Sequence, residues 1–126
     1  DDILIDNILL VNPGIAISAG SAYGALELPA PGESKRFDPQ NPVATMFNRL
    51  EPAVRAMYPE VDRLLSKLDE LGAMKSMLSG SGSTCFGIFD NAKSASEAEA
   101  YFVKTGFYTH HTRTISRREY QRCFPN

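Results

Sequence analysis

The chain has 126 residues, 43% of them hydrophobic, and its 13 lysines and arginines nearly balance 15 aspartates and glutamates for a formal charge of −2. That length suits one compact domain whose core needs neither disulfides nor a structural metal. The composition fits a globular chain and gives no push toward disorder, and the near-neutral charge gives no reason to expect a nucleic-acid partner or an anionic membrane surface.

No apolar run approaches the roughly 20 residues that a membrane span needs. The opening Asp1-Asp2-Ile3 resembles neither a signal nor a transit peptide and lacks an initiator methionine, which suits a processed protein or an excised domain. Cys85 lies in an apolar run and Cys123 near the end, a pattern that makes neither a disulfide framework nor a metal site and favours a reducing compartment. His110 and His111 are adjacent, so in a strand they point to opposite faces and cannot chelate one ion together.

In chain order, Ile8-Leu9-Leu10-Val11 reads as a buried strand closed by the turn Asn12-Pro13-Gly14. Residues 15–28 predict a short helix capped by Ser18 or Ser21 and weakened by Gly24. Four prolines between positions 29 and 42 predict an exposed loop, too short to argue for a second domain. Two helices follow, the first from about position 43 or 48 to Met57, the second opening at Pro59. In the second, Val61, Leu64, Leu65, Leu68 and Leu71 keep helical spacing and form a core stripe that ends at Gly72. Residues 74–78 and 85–89 read as strands, 92–104 as a helix burying Ala95, Ala98 and Phe102, and 107–115 as a last strand. Arg113, Arg117, Arg118 and Arg122 make the end basic, and residues 116–126 read as a solvated tail after a domain covering about 8–115. This order predicts an α+β ferredoxin-like split β-α-β sandwich with the helices on one face of an antiparallel sheet.

The stretch Leu78-Ser79-Gly80-Ser81-Gly82-Ser83-Thr84-Cys85 sets glycines among hydroxyls between two apolar runs. Glycine at positions 80 and 82 allows positive φ and a close approach of backbone N–H groups to an anion, while the hydroxyls of Ser79, Ser81, Ser83 and Thr84 add donors. The same glycines would equally serve a tight connection between strands. No lysine follows Gly82, and neither the P-loop nor the dinucleotide-binding fingerprint is present.

The run from Leu78 to Phe89 resembles the third, C-terminal glycine-rich motif of the GHMP small-molecule kinases. Val11-Asn12-Pro13-Gly14-Ile15-Ala16-Ile17-Ser18 resembles the strand and turn that open the C-terminal half of that family. Phe47-Asn48-Arg49-Leu50-Glu51-Pro52 and Tyr58-Pro59-Glu60-Val61 are similar to one branch of it, whose members phosphorylate the tertiary hydroxyl of a cytidine-diphosphate-linked methylerythritol in non-mevalonate isoprenoid synthesis.

The resemblance implies an ATP- and Mg²⁺-dependent phosphotransferase of the cytoplasm or plastid stroma. It also implies that the partner is an N-terminal domain carrying the ATP loop and the catalytic aspartate and lysine, none of which has a counterpart here. This chain would then hold no catalytic residue, bind no cofactor tightly and be inactive alone. Gly80, Ser81 and Gly82, flanked by Ser79 and Ser83, would face the interdomain cleft and bind phosphate or the small-molecule substrate. Two positions depart from the pattern: Arg49 stands where relatives often have aspartate, and Ser18 would supply a hydroxyl that relatives take from threonine.

Another member of the family, such as a mevalonate, homoserine or sugar kinase, and a free-standing ferredoxin-like binding module are the alternatives. Loss of the N-terminal half would leave an apolar face exposed and open to non-physiological self-association.

Overall fold

The computed structural model describes residues 4–24, 36–80, 82–114 and 116–123. Four strands, β1 (Ile8–Asn12), β2 (Lys75–Leu78), β3 (Cys85–Ile88) and β4 (Tyr108–Thr112), form an antiparallel sheet in the order β2-β3-β1-β4. β1 is central, with Leu9 opposite both Gly87 of β3 and His111 of β4. The order fits the ferredoxin-like sandwich that the sequence predicts, and the strand positions differ from expectation only at their ends.

Alternation along β1 decides the layers. Leu9 and Val11 are fully buried, while Ile8, Leu10 and Asn12 on the other face are half-buried. The core forms where Leu9, Val11, Leu78 and Cys85 meet helix α4 (Pro59–Glu70) and helix α5 (Ala92–Lys104). The predicted stripe of α4 behaves as expected: Val61, Leu64, Leu65 and Leu68 are buried. In α5 the predicted Ala95, Ala98 and Phe102 are buried, and Asn91 caps the helix by accepting from the Ser94 N–H at 2.8 Å.

Both long helices close with a bond from the amide five residues on, Ala73 to Leu68 O and Phe107 to Phe102 O. The second closure stacks the Phe107 and Phe102 rings with centroids 6.1 Å apart. Outside the core, Lys67 Nζ lies 4.6 Å from the Tyr101 ring centroid and joins α4 to α5.

The opposite face of the sheet carries Leu10, Met77 and Phe86 in register, all half-buried. Tyr108 on the same face is 71% exposed. The helices that pack most extensively on the sheet, α4 and α5, cover the other face, and residues 47–50 border this one beside Met77 and Phe86. His110 is on the open face opposite Leu10, and His111 turns the other way to meet Asn7 Oδ1 at 3.2 Å, so the two imidazoles diverge.

Two sequence expectations need correction. Of the two starts expected for the first helix, that at position 43 fails and that at about 48 holds to within three residues: a short α2 (Pro42–Thr45) ends, the chain turns through residues 46–50, and α3 (Glu51–Met57) begins afresh. The break frees the Asn48 side chain to bond outside any helix, as described below. The end of the chain is not wholly a tail, since α6 (Arg117–Cys123) forms there. Ser116 Oγ accepts from the Glu119 N–H at 3.1 Å and Glu119 Oε1 accepts from the Ser116 N–H at 3.4 Å, a reciprocal capping box. Arg113 then pairs with Glu119 at 2.7 Å, and that bond, with the Ser116 N–H, holds the Glu119 carboxyl below its usual range. α1 (Ala19–Gly24) occupies the described part of the helix expected over 15–28, and residues 25–35 of that helix and the following loop lie outside the described residues.

Burial in the core pushes the Cys85 thiol up to about 12, with the nearby negative charge of Glu51 adding to the effect and Arg55 opposing it. Because the folded state resists thiolate formation and the unfolded chain does not, stability from this source is intact below pH 9.0 and is lost as pH rises from there toward 12. The native protein is expected to leave Cys85 unmodified by a thiol reagent at pH 8 and to react on unfolding. Mass spectrometry of the modified peptide with and without denaturant checks this, and rapid native labelling of Cys85 would contradict the burial.

Candidate functional site

The segment between β2 and β3 reverses the chain through residues 79–84, and its glycines adopt the backbone the sequence requires of them. Gly80 has φ +60° and Gly82 φ +95°, conformations that residues with a Cβ adopt only under strain. A Cβ built on Gly82 would lie 2.6 Å from Ile17 Cδ1 and 2.9 Å from Leu78 Cδ1. Gly82 is therefore wedged between the turn that follows β1 and the end of β2.

Two of the loop's amides are engaged inside the turn: the Ser79 N–H donates to Thr84 O at 2.9 Å and the Gly82 N–H to Ser79 O at 3.1 Å. Among the described residues, nothing accepts from the amides of Gly80, Ser83 or Thr84. Ser79 and Gly80 are exposed, Gly82 is half-buried, and Ser81 lies outside the described residues.

Side chains divide differently from the sequence expectation. Ser83 is only 7% exposed, and its hydroxyl donates to Asn12 Oδ1 at 3.3 Å. Asn12 in turn donates through Nδ2 to Thr84 Oγ1 at 3.0 Å, and its Oδ1 accepts from the Gly14 N–H at 2.7 Å. Ser83 and Thr84 thus tie the loop to the end of β1, and the Ser79 hydroxyl remains on the surface. Ser18 starts α1: its Oγ accepts from the Ser21 N–H at 3.1 Å, and its own N–H donates to the Tyr58 hydroxyl at 3.2 Å. Ile17, the residue before Ser18, packs against Gly82, while the bonds of Ser18 itself run to Ser21 and Tyr58.

The other flank is built from the corner between α2 and α3. Asn48 Nδ2 donates to Leu78 O at 2.8 Å and to Gly80 O at 2.7 Å, while its Oδ1 accepts from the Leu50 N–H at 2.9 Å. Glu51 Oε1 accepts from the Leu78 N–H at 2.9 Å. Arg55 reaches Asp62 at 2.6 Å and Glu51 at 3.4 Å, and although burial opposes its charge, these two carboxylates hold the guanidinium above its ordinary value. Beside this corner an open cavity of ≈ 550 Å³ runs between residues 47–50, residues 77–80 and Phe86. Arg49 stands exposed at its rim.

Asn12 and Asn48, which bind the loop from either side, are site residues that the sequence motifs do not single out. A hint lies in both segments, since each puts an asparagine beside a turn or helix start, where its side chain competes with helix for backbone partners.

Chemically, unbonded amides beside surface hydroxyls suit an anion. Among the described residues beside the loop, the Cys85 thiol is buried and held protonated, and Glu51 is engaged by Leu78 and Arg55. Among the described residues no cluster of three or more His, Cys, Asp or Glu could hold a metal ion, and amides and hydroxyls do not suit a cation in its place.

Known proteins show the same architecture. The family described as GHMP kinases C terminal matches residues 32–108. The 4-diphosphocytidyl-2-C-methyl-D-erythritol kinase of Thermodesulfovibrio yellowstonii is 36% identical over 109 residues, which are 75% of this chain and 38% of that protein. The kinase of the same name from Citrifermentans bemidjiense is 36% identical over 114 residues, 86% of this chain and 41% of that protein. Among solved structures, a 4-(cytidine 5'-diphospho)-2C-methyl-D-erythritol kinase superposes with a TM-score of 0.70 at 18% identity, over 88% of this chain and 43% of that one. Homoserine kinase from Cytophaga hutchinsonii gives a TM-score of 0.58 at 14% identity, over 89% of this chain and 41% of that one. At such identities the two structures share the fold alone, and this chain spans less than half the length of the curated relatives. The family match takes in β2, the glycine loop, β3 and α5, and with it the chain belongs to the GHMP kinase C-terminal family.

Proposed function

We propose that this chain is the C-terminal domain of an ATP-dependent kinase that phosphorylates the tertiary hydroxyl of 4-diphosphocytidyl-2-C-methyl-D-erythritol, a step in non-mevalonate isoprenoid precursor synthesis. The observation that carries the reading is the glycine loop, whose Gly80, Ser83 and Thr84 amides have no described partner, in a chain whose curated relatives bear that name. The relatives' names favour this substrate over those of mevalonate, homoserine or sugar kinases.

In this reading the loop stabilises and orients. Phosphoryl transfer depends on positioning and on neutralising the charge of the transferred group. Backbone N–H groups fixed in place do this without reorganising during the reaction. Gly80 and Ser79 meet the phosphate or the methylerythritol end of the substrate, Gly82 shapes the turn, and Ser18 adds a hydroxyl from the flank. Ser81, assigned from sequence, joins Gly80 at the tip. The Ser83 hydroxyl holds Asn12, so its contribution to the ligand is its amide. ATP supplies the phosphoryl group. Mg²⁺ finds no carboxylate ligands in the loop, and the residues here do not fit it, so the ion and the general base belong to an N-terminal domain. That domain is the expected cover for the open sheet face around Leu10, Met77 and Phe86; without it, this face exposes apolar surface that favours self-association in vitro.

A coupled ATP-turnover assay with the cytidine-diphosphate methylerythritol substrate tests the reading. Turnover is expected from a protein extended N-terminally through the ATP-binding domain and not from this chain alone. No turnover by the extended protein would direct the search to another acceptor alcohol, and turnover by this chain alone would overturn the need for a second domain.

A further inference from the structure

We infer that Asn48, backed by Glu51, is the positioning residue that sets the aim of the glycine loop. The carboxamide bonds the carbonyls of Leu78 and Gly80 with one nitrogen, at 2.8 and 2.7 Å, and these two groups bracket the point where the chain leaves β2 and enters the loop. Fixing both carbonyls fixes the peptide planes on either side of the Ser79–Gly80 peptide. The N–H of Gly80, one of the amides with no described acceptor, lies in that middle plane, which is held between the two Asn48 bonds and by the Gly82 N–H on its own carbonyl, Ser79 O.

Asn48 is itself held. Its Oδ1 accepts from Leu50, its backbone carbonyl accepts from Glu51 at 3.1 Å, and the next turn of α3 anchors through the buried Val54. Glu51 holds the Leu78 N–H on the same strand edge, and its second oxygen is kept by Arg55. The carbonyl and the N–H of Leu78 thus both bond to side chains of one short corner. The break between α2 and α3, which Pro52 favours, leaves Asn48 outside either helix with its amide on the strand end.

The residue type matters in detail. A single side chain must donate twice on one end and accept once on the other, which asparagine does and aspartate of the same shape does not. Asn48→Asp keeps the acceptor for Leu50 but turns an anionic oxygen toward two carbonyl oxygens. The loop entry should open while the fold persists.

The test has two arms. In this chain, amide exchange followed by NMR is expected to speed up at Ser79 and Gly82 by about tenfold in Asn48→Asp and Asn48→Ala, the size of one or two lost hydrogen bonds, with Leu9 and Phe102 little changed. In Asn48→Asp the excess over wild type should shrink as pH falls through the carboxyl's pKa, since the protonated acid can donate again; Asn48→Ala should show no such recovery. Equal acceleration at Leu9 and Phe102, or none at the loop, would overturn the inference.

The second arm rests on the kinase reading. In the extended kinase, Asn48→Asp should lower kcat at least about tenfold while KM for either substrate moves less than about threefold, because a mis-aimed donor is missed mainly in the transition state. A loosened loop with unchanged kcat would overturn the positioning role. An inactive wild-type kinase would count against the kinase reading, and the exchange arm would still decide whether Asn48 sets the loop.

Discussion

Gly82→Ala is expected to destabilise the domain by about 2–3 kcal/mol, from the left-handed backbone and from crowding of the new methyl. The two sources act together at this position. With φ +95° any Cβ is strained, and the methyl would meet Ile17 Cδ1 at 2.6 Å and Leu78 Cδ1 at 2.9 Å. The Ile17 tip can swing aside, but Leu78 is fully buried and has little room to yield. Relief must come from the loop backbone, which would rotate the neighbouring Ser83 amide away from its present aim. In the extended kinase, loss of one such donor is worth roughly a hundredfold in kcat. Gly80→Ala is the control: φ there is +60° and no atom lies within 4 Å of the added methyl, so only the backbone term of about 1 kcal/mol remains. Urea unfolding of the two variants should separate them, and equal stabilities would show that Gly82 is not wedged as described.

The largest loss of stability is expected from Phe102→Ala, about 3–5 kcal/mol by the usual cost of removing a buried aromatic ring. Phe102 is 1% exposed; it meets Tyr101 edge-on at 5.2 Å and stacks on Phe107 at 6.1 Å. Its carbonyl also accepts from the Phe107 N–H and from Thr105 Oγ1, so the ring sits where α5 turns into β4. A domain with a total stability of about 5–15 kcal/mol would lose a fifth of it or more, and Tm should fall by roughly 10 °C or more. Calorimetry checks the value, and a fall of only a degree or two would mean that the cavity collapses and the ring is not the keystone of this corner.

These two positions differ in how far the sequence discloses them. Phe102 is legible because local periodicity suffices: helical spacing with Ala95 and Ala98 defines its face. The stripe of α4 is legible for the same reason. Gly80 and Gly82 are recognisable as positive-φ positions, since a glycine pair between two strand-like runs has few other uses. Which amides the turn keeps for itself is not legible, because the bonds Ser79 to Thr84 and Gly82 to Ser79 depend on the three-dimensional course of the loop.

The break in the helix expected before Met57 has a local cause and a tertiary use. Pro52, in the first turn of α3, has no N–H, and in a continuous helix its ring would clash with the Asn48 carbonyl; the carbonyls of Leu78 and Gly80, thirty and more residues away in sequence, then give the Asn48 amide its partners. The final helix is also signalled locally. Ser116 and Glu119 stand at the spacing of a capping box, a signal in plain view among the arginines that give the segment the look of a solvated tail. The role of Ser83 illustrates a third limit. A serine in a loop reads as a donor to ligands until the strand end that binds it, here Asn12, is known.

The position of β1 at the centre of the sheet has a consequence for how the chain comes into being. β1 precedes the other three strands of this sheet, yet both of its neighbours, β3 and β4, come from the last third of the sequence. During synthesis Ile8-Leu9-Leu10-Val11 must therefore wait, apolar and without ladder partners, until Cys85 and then Tyr108 have emerged. Such late, long-range pairing slows folding and leaves an adhesive segment uncovered meanwhile. The nascent protein is thus most prone to aggregate before its final strand is complete, and a truncation that removes β4 would leave one edge of its own central strand bare for another chain to pair with.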